Sequence, residues 1–269
     1  MLLWTLATTV ALHAQTPSPT PSLEQEFFKN ILHDQKAIWT APLHLDRSDM
    51  KWAVPGGIGL MALFTTDRIT GDEIFESNRQ VKASRVISYT GSVYGLGAIA
   101  TTFYLIGRKN NDYRARETGL LSAEALVNSV IAEAAIKGIT QRARPLAGVE
   151  RSEFFDGGSA FPSGHATQAW AVAAVIASEY KHRPAVQIAA YGVATAVSVA
   201  RFTVKKHYIS DVVAGSALGY GIGKFVFNAH HRESVVAEDG AISKSAWPLI
   251  APTFNRQARQ YGVALTWNF

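Results

Sequence analysis

A chain of 269 residues, 48% of them hydrophobic and 17% charged, is long enough to bury the core of one large domain and too apolar to be a disordered polymer. Its mean hydropathy of +0.04 is low for a protein built mostly of membrane spans. The absence of cysteine excludes a disulfide framework, a thiolate nucleophile and a cysteine zinc site. The net charge of +5 favours acidic partners, but the basic residues are scattered apart from clusters such as Lys205-Lys206, so nucleic acid is not implied.

The apolar run from Leu2 to Leu12, followed by His13-Ala14-Gln15, has the layout of a secretory signal over 1–14, although no Lys or Arg precedes it. That predicts export to the periplasm or cell envelope. A Pro/Ser/Thr linker over 15–22 follows, unable to sustain a helix. From Leu23, apolar Phe27, Phe28, Ile31 and Leu32 recur at three- and four-residue steps, the pattern of an amphipathic helix with Ser22 as its N-cap. Further helical runs are expected at roughly 50–64, 84–107, 115–141, 164–181, 184–202 and 208–229. The expected fold is all-α: a bundle of six to seven helices over 23–235 with its active site at one end.

Val86 to Gly107 carries no charge and has the length of a membrane span, but glycines and hydroxyl side chains interrupt it. Its neighbours carry Glu124, Glu133, Gln168 and Gln187, which favours buried helices of a soluble bundle over an integral inner-membrane protein. At the end of the chain Tyr261, Val263, Leu265, Trp267 and Phe269 alternate with smaller or polar residues, the period of a strand. With Ala246 to Phe254 as partner and Asn255 to Gln260 as turn, a short C-terminal β-hairpin is expected over 246–269.

Three separated patches carry the chemistry. Lys137 and Arg144, seven residues apart, would leave one helix face beside Pro145 and grip a dianion, arginine as a planar fork and lysine as a point charge. Pro162-Ser163-Gly164-His165 stands just before an apolar helical run, where unpaired N–H groups and the helix dipole attract anions. Ser163 can donate its hydroxyl and His165 can pass a proton. His207 and Asp211, four apart, would bring a carboxylate against an imidazole, which leaves the other ring nitrogen nucleophilic, and Arg201 reaches the same pocket. His182 and the pair His230-His231 read as solvated helix ends, and Trp39, Trp52 and Tyr104 as core or interface residues.

The ordered pattern Lys-x6-Arg-Pro, Pro-Ser-Gly-His and Arg-x5-His-x3-Asp resembles the type 2 phosphatidic acid phosphatase superfamily, which also contains bacterial acid phosphatases and vanadium haloperoxidases. The helical pattern extends that resemblance to roughly 87–227. It implies that Lys137, Arg144, Arg201, Ser163 and the backbone of Gly164 hold phosphate. His207 would attack phosphorus, Asp211 would orient it, and His165 would protonate the leaving group. No metal or other cofactor is expected, and the partner is a phosphorylated small molecule or lipid at a possible membrane surface. One departure is Ala200, where the family usually places serine. Two alternatives stand beside this hydrolase: a vanadate-dependent haloperoxidase with His207 as the vanadate ligand, and a non-catalytic envelope scaffold that binds phosphate groups.

Overall fold

The computed structural model describes residues 23–72, 78–145, 153–231, 249–255 and 260–266. The signal over 1–14, the linker over 15–22, the Ser22 cap and most of the hairpin turn lie outside them. Eight α-helices follow in order among the described residues: α1 (Leu23–Thr40), α2 (Arg47–Asp72), α3 (Asn78–Thr90), α4 (Val93–Asn110), α5 (Tyr113–Thr140), α6 (Gly164–Glu179), α7 (Pro184–Thr203) and α8 (Ile209–His230). The strands β1 (Leu249–Asn255) and β2 (Gln260–Thr266) then pair antiparallel from Leu249↔Thr266 to Asn255↔Gln260. The helical bundle and the C-terminal strand pair match the expected class, with more helices than the six or seven anticipated.

The extra helix comes from the run expected over 84–107. It breaks at Gly91-Ser92, where the Ser92 hydroxyl accepts the Gly95 N–H at 3.2 Å and starts α4 anew. A cap of this kind satisfies one of the orphan donors of a helix start and so stabilises the break. Val86 to Gly107 is therefore two helices and not one span. The next turn follows its sequence signals: Asn111 adopts φ 55° and the Asp112 carboxylate caps α5 at the Ala115 N–H, 3.0 Å away.

α6 is the centre of the bundle. Most of its residues are buried, Thr167, Gln168, Ser178 and Glu179 being the polar ones among them, and it divides its small apolar side chains between two cores. Ala169, Val172 and Ala173 pack with Leu96, Leu126, Ala194 and Val197 of α4, α5 and α7. On the other side Ala171 and Val175 pack with Leu121 and Ala125 of α5 and with Ile222 and Val226 of α8. α8 comes closest, because Gly215, Gly219 and Gly223 form a stripe along the face turned to α6. A Cβ at Gly219 would stand 2.0 Å from the Thr167 carbonyl oxygen, and one at Gly223 2.2 Å from that of Ala171. This approach sets the start of α6 against the start of α8.

Several apolar side chains lie outside the cores. Ile188, Val193 and Val199 of α7 are exposed, as are Leu105 and Ile106 of α4 and Ile131 and Ile139 of α5. α5 and α7 are long and apolar enough to cross a membrane, and only 22% of the apolar window of α7 is buried. The expectation that such helices hide inside a soluble bundle does not hold for α7. Trp39 and Trp52 are also exposed, outside the core. His230 and His231 are not solvated ends, since their side chains are 13% and 17% exposed and both face buried carboxylates.

Candidate active site

α5 ends at Thr140, where Gln141 turns to φ 44° and returns its N–H to the Lys137 carbonyl at 2.9 Å. Lys137 is thus helical, whereas Arg144 lies past the helix in extended chain. The expectation that both leave one helix face is corrected, because the left-handed residue ends the helix before Arg144 is reached. Arg144 is carried instead by backbone hydrogen bonds between its own segment and the returning loop: Ala143 N–H to Glu153 O (3.1 Å), Gly158 N–H to Gln141 O (2.9 Å) and Ala160 N–H to Arg142 O (2.9 Å). Its Nη2 donates to the Ser159 hydroxyl at 3.1 Å, while its buried Nε has no partner. The Lys137 ammonium sits 2.6 Å from Glu133, so part of its charge is already balanced.

Ser163 occupies the N-cap position of α6, and its N–H donates to the Asp211 carbonyl at 3.0 Å across to α8. Its hydroxyl caps nothing; it is fully buried and without a partner. A Cβ at Gly164 would stand 2.6 Å from Glu133 Oε2, so that carboxylate packs directly against the glycine. His165 lies within electrostatic range of Arg201, His207, Lys137 and Arg144, and Arg201 within range of Arg144, so the three sequence patches converge on one space. The Nε of Arg201 is buried and unpartnered, like that of Arg144.

His207, in the link between α7 and α8, is 2% exposed, and its Nδ1 is 2.7 Å from the Ala160 carbonyl. A carbonyl only accepts, so Nδ1 carries the proton and Nε2 keeps its lone pair. Asp211 stands 3.8 Å from the same Nδ1, close enough for charge but too far for a hydrogen bond. The direct orienting partner is therefore a backbone carbonyl. Burial pushes the His207 imidazole below the usual histidine range; Asp211 and the Ala160 carbonyl oppose that shift and Arg201 reinforces it.

Asp211 spends its hydrogen bonds elsewhere. Its Oδ2 accepts the Tyr208 N–H at 2.9 Å, closing the start of α8, and its Oδ1 takes Nη1 of Arg142 at 2.6 Å. Arg142 is fully buried, donates through Nη1 also to the Ser210 hydroxyl (2.7 Å) and through Nη2 to Asp67 of α2 (2.7 Å), and stacks among Phe64, Phe154 and Tyr208 at 4.5–5.0 Å. Asp67 in turn accepts from the Ser210 N–H and hydroxyl. This buried unit ties α2, the segment after α5 and the start of α8 together beneath His207.

Residues 118–234, which contain every one of these motif side chains, match the PAP2 superfamily. The chain is 36% identical over 67 residues to a lipid A 1-phosphatase of Porphyromonas gingivalis; the match covers 24% of this chain and spans only 15% of that protein's length. Its fold is similar to the crystal structure of a transmembrane PAP2-type phosphatidylglycerolphosphate phosphatase from Bacillus subtilis. That likeness has a TM-score of 0.51 at 20% identity and covers 78% of this chain and 97% of that one.

Sequence reasoning missed Arg142, Asp67 and the Ala160 carbonyl. Arg142 was legible only as a second arginine beside Arg144, and basic doublets are ordinarily solvated. Asp67 lies far upstream, and no spacing rule links it to the motifs. Ala200 is buried in the last turns of α7, where its carbonyl accepts the Thr203 hydroxyl at 3.2 Å.

Proposed function

We propose that this chain is a PAP2-type phosphatase that hydrolyses a lipid phosphate or diphosphate through a phosphohistidine on His207. The observation that carries the reading is a set of buried donors with nothing to donate to: Ser163 Oγ, Arg144 Nε and Arg201 Nε, one from each motif. Buried polar groups are rarely left unpaired, because each costs about 1–3 kcal/mol. A tetrahedral oxyanion in this space would satisfy all three, with the free N–H groups at the start of α6 and the Lys137 ammonium completing the cradle.

In this scheme Nε2 of His207 attacks phosphorus in line with the leaving oxygen, the P–N bond forms, and the P–O bond breaks. His165 gives its proton to the departing oxygen, then takes one from water as that water attacks phosphorus and releases His207. The cations balance the charge that builds on the phosphoryl oxygens, so no metal is required at this site. Asp211 and the Ala160 carbonyl stabilise positive charge on the phosphorylated ring.

A lipid substrate is supported by the exposed apolar faces of α4, α5 and α7, which suit acyl chains, and by the length of α5 and α7. It is also in keeping with the names of the two similar proteins, both phosphatases of lipid phosphates. This reading sets the chain in the membrane of the cell envelope. The test is phosphate release by detergent-purified protein from phosphatidic acid, a polyprenyl diphosphate and p-nitrophenyl phosphate, with an acid quench to trap acid-labile phosphoenzyme. Turnover on a lipid phosphate, lost with the trapped phosphate in His207→Ala, is expected. Undiminished turnover in His207→Ala, or vanadate-dependent halide oxidation without phosphate release, would overturn the proposal.

A further inference from the structure

At the end of α8 remote from the motifs, about 30 Å from Asp211 at 1.5 Å per residue, three helices bring ionisable groups together. Glu117 belongs to the early part of α5, Glu179 is the last residue of α6, and His231 follows directly on α8. Their ligand atoms lie within 4.8 Å of one another. The His231 ring is fixed by stacking on Phe227, with centroids 4.5 Å apart and planes 17° from parallel. Its Nδ1 then stands 3.4 Å from Glu117 Oε1 and 3.4 Å from Glu179 Oε1.

Those two distances are informative. A charge-assisted hydrogen bond between imidazolium and carboxylate closes to about 2.7–2.9 Å. Here Nδ1 of His231 and both oxygens of Glu179 are buried without any hydrogen bond, and Glu179 is only 6% exposed. Two ligands about 2.1 Å from a tetrahedral zinc ion, by contrast, are about 3.4 Å apart. The neighbouring cluster is drawn together more closely. There His230 Nε2 meets Asp34 at 2.8 Å and Glu124 at 3.1 Å, and Asp34 also accepts from Asn128 at 2.9 Å. A hydrogen bond joins His230 to Asp34, although Glu124 Oε1 is left without one; at His231 the ring nitrogen has no hydrogen bond to either carboxylate.

A divalent ion would match the charge of the two carboxylates with the imidazole neutral.

We propose that Glu117 Oε1, Glu179 Oε1 and His231 Nδ1 hold a divalent transition-metal ion, best Zn²⁺, with water in the fourth position. The ion pins the end of α8 to α5 and α6. The site is structural, lies apart from the phosphatase machinery and does not depend on that reading.

The experiment uses untagged full-length protein in detergent, stripped with a chelator, dialysed and titrated with Zn²⁺. Metal content should reach one ion per chain, and Tm should rise by about 5 °C or more at a hundredfold excess over Kd. Phosphate release at 25 °C should be unaffected by stripping, which separates this site from the catalytic one. Glu179→Gln should lose the ion and the Tm shift, whereas Glu124→Gln in the adjacent cluster should keep both. Should Glu179→Gln fail to fold, Co²⁺-loaded wild-type protein still decides: the intense visible bands of a tetrahedral ion are expected. No uptake by the wild type, equal uptake by folded Glu179→Gln, or the weak spectrum of an octahedral ion would overturn the proposal.

Discussion

Replacing Arg142 tests the part of the site that sequence reasoning missed. Arg142→Met keeps an apolar chain among Phe64, Phe154 and Tyr208 but takes the cation from between two buried carboxylates, Asp67 and Asp211. Removing one partner of a buried ion pair costs about 3–5 kcal/mol. Arg142 serves two carboxylates and a serine hydroxyl, so the cost should fall near 5 kcal/mol, or about 10–20 °C in Tm for a domain of this size. A catalytic signature should accompany it. Asp211, no longer neutralised by Arg142, would exert its full charge on His207 from 3.8 Å, favouring the protonated ring and moving the acid limb of kcat/KM to higher pH. The assay is thermal unfolding in detergent together with the pH profile of phosphate release below the melting range. Adding Asp67→Asn should recover part of the stability, since one buried charge then goes with its partner. A folded Arg142→Met with Tm within about 2 °C of wild type and an unmoved acid limb would refute the assignment of Arg142 as the anchor of Asp211.

Further outcomes follow from the same geometry. His207 attacks only when neutral and its pKa is held below the ordinary 6.5, so activity should persist as pH falls through 6.5 and decline only below it. Because Asp211 raises that pKa, Asp211→Asn should move the limb further toward acid, and a shift toward alkali would contradict the electrostatics. Ser163→Ala should lower kcat/KM by about 10- to 150-fold, the worth of one hydrogen bond to a charged group, without lowering Tm, because the hydroxyl removed is buried and unpartnered. A melting point well below wild type would mean that this hydroxyl has a structural partner. Gly219→Ala should cost about 1–3 kcal/mol by forcing α8 from the Thr167 carbonyl, whereas Gly221→Ala, with open space around it, should be neutral or stabilise by up to about 1 kcal/mol. Equal effects of the two substitutions on Tm would count against close α6–α8 packing.

The sequence by itself determined the local features. Helices where apolar residues recur at three- and four-residue steps, turns at Asn111-Asp112, a strand pair where the period drops to two, and a helix start at Ser163-Gly164 are all consequences of nearest-neighbour geometry, legible over a few residues. The motif side chains were legible too, because phosphate chemistry calls for few residue types in a fixed order. What only the tertiary structure decided is which partner each of them has. Arg144 reaches the site by a left-handed turn at Gln141 and a returning loop; His207 is oriented by a carbonyl 47 residues upstream. Asp211 is held by an arginine that spacing does not connect to it. The same holds for exposure: hydropathy could not distinguish an apolar helix sealed in a core, such as α6, from one whose apolar side chains lie open, such as α7. Burial and ion pairing depend on contacts between residues far apart in the chain, and a periodic pattern records only that a face is apolar, not what covers it.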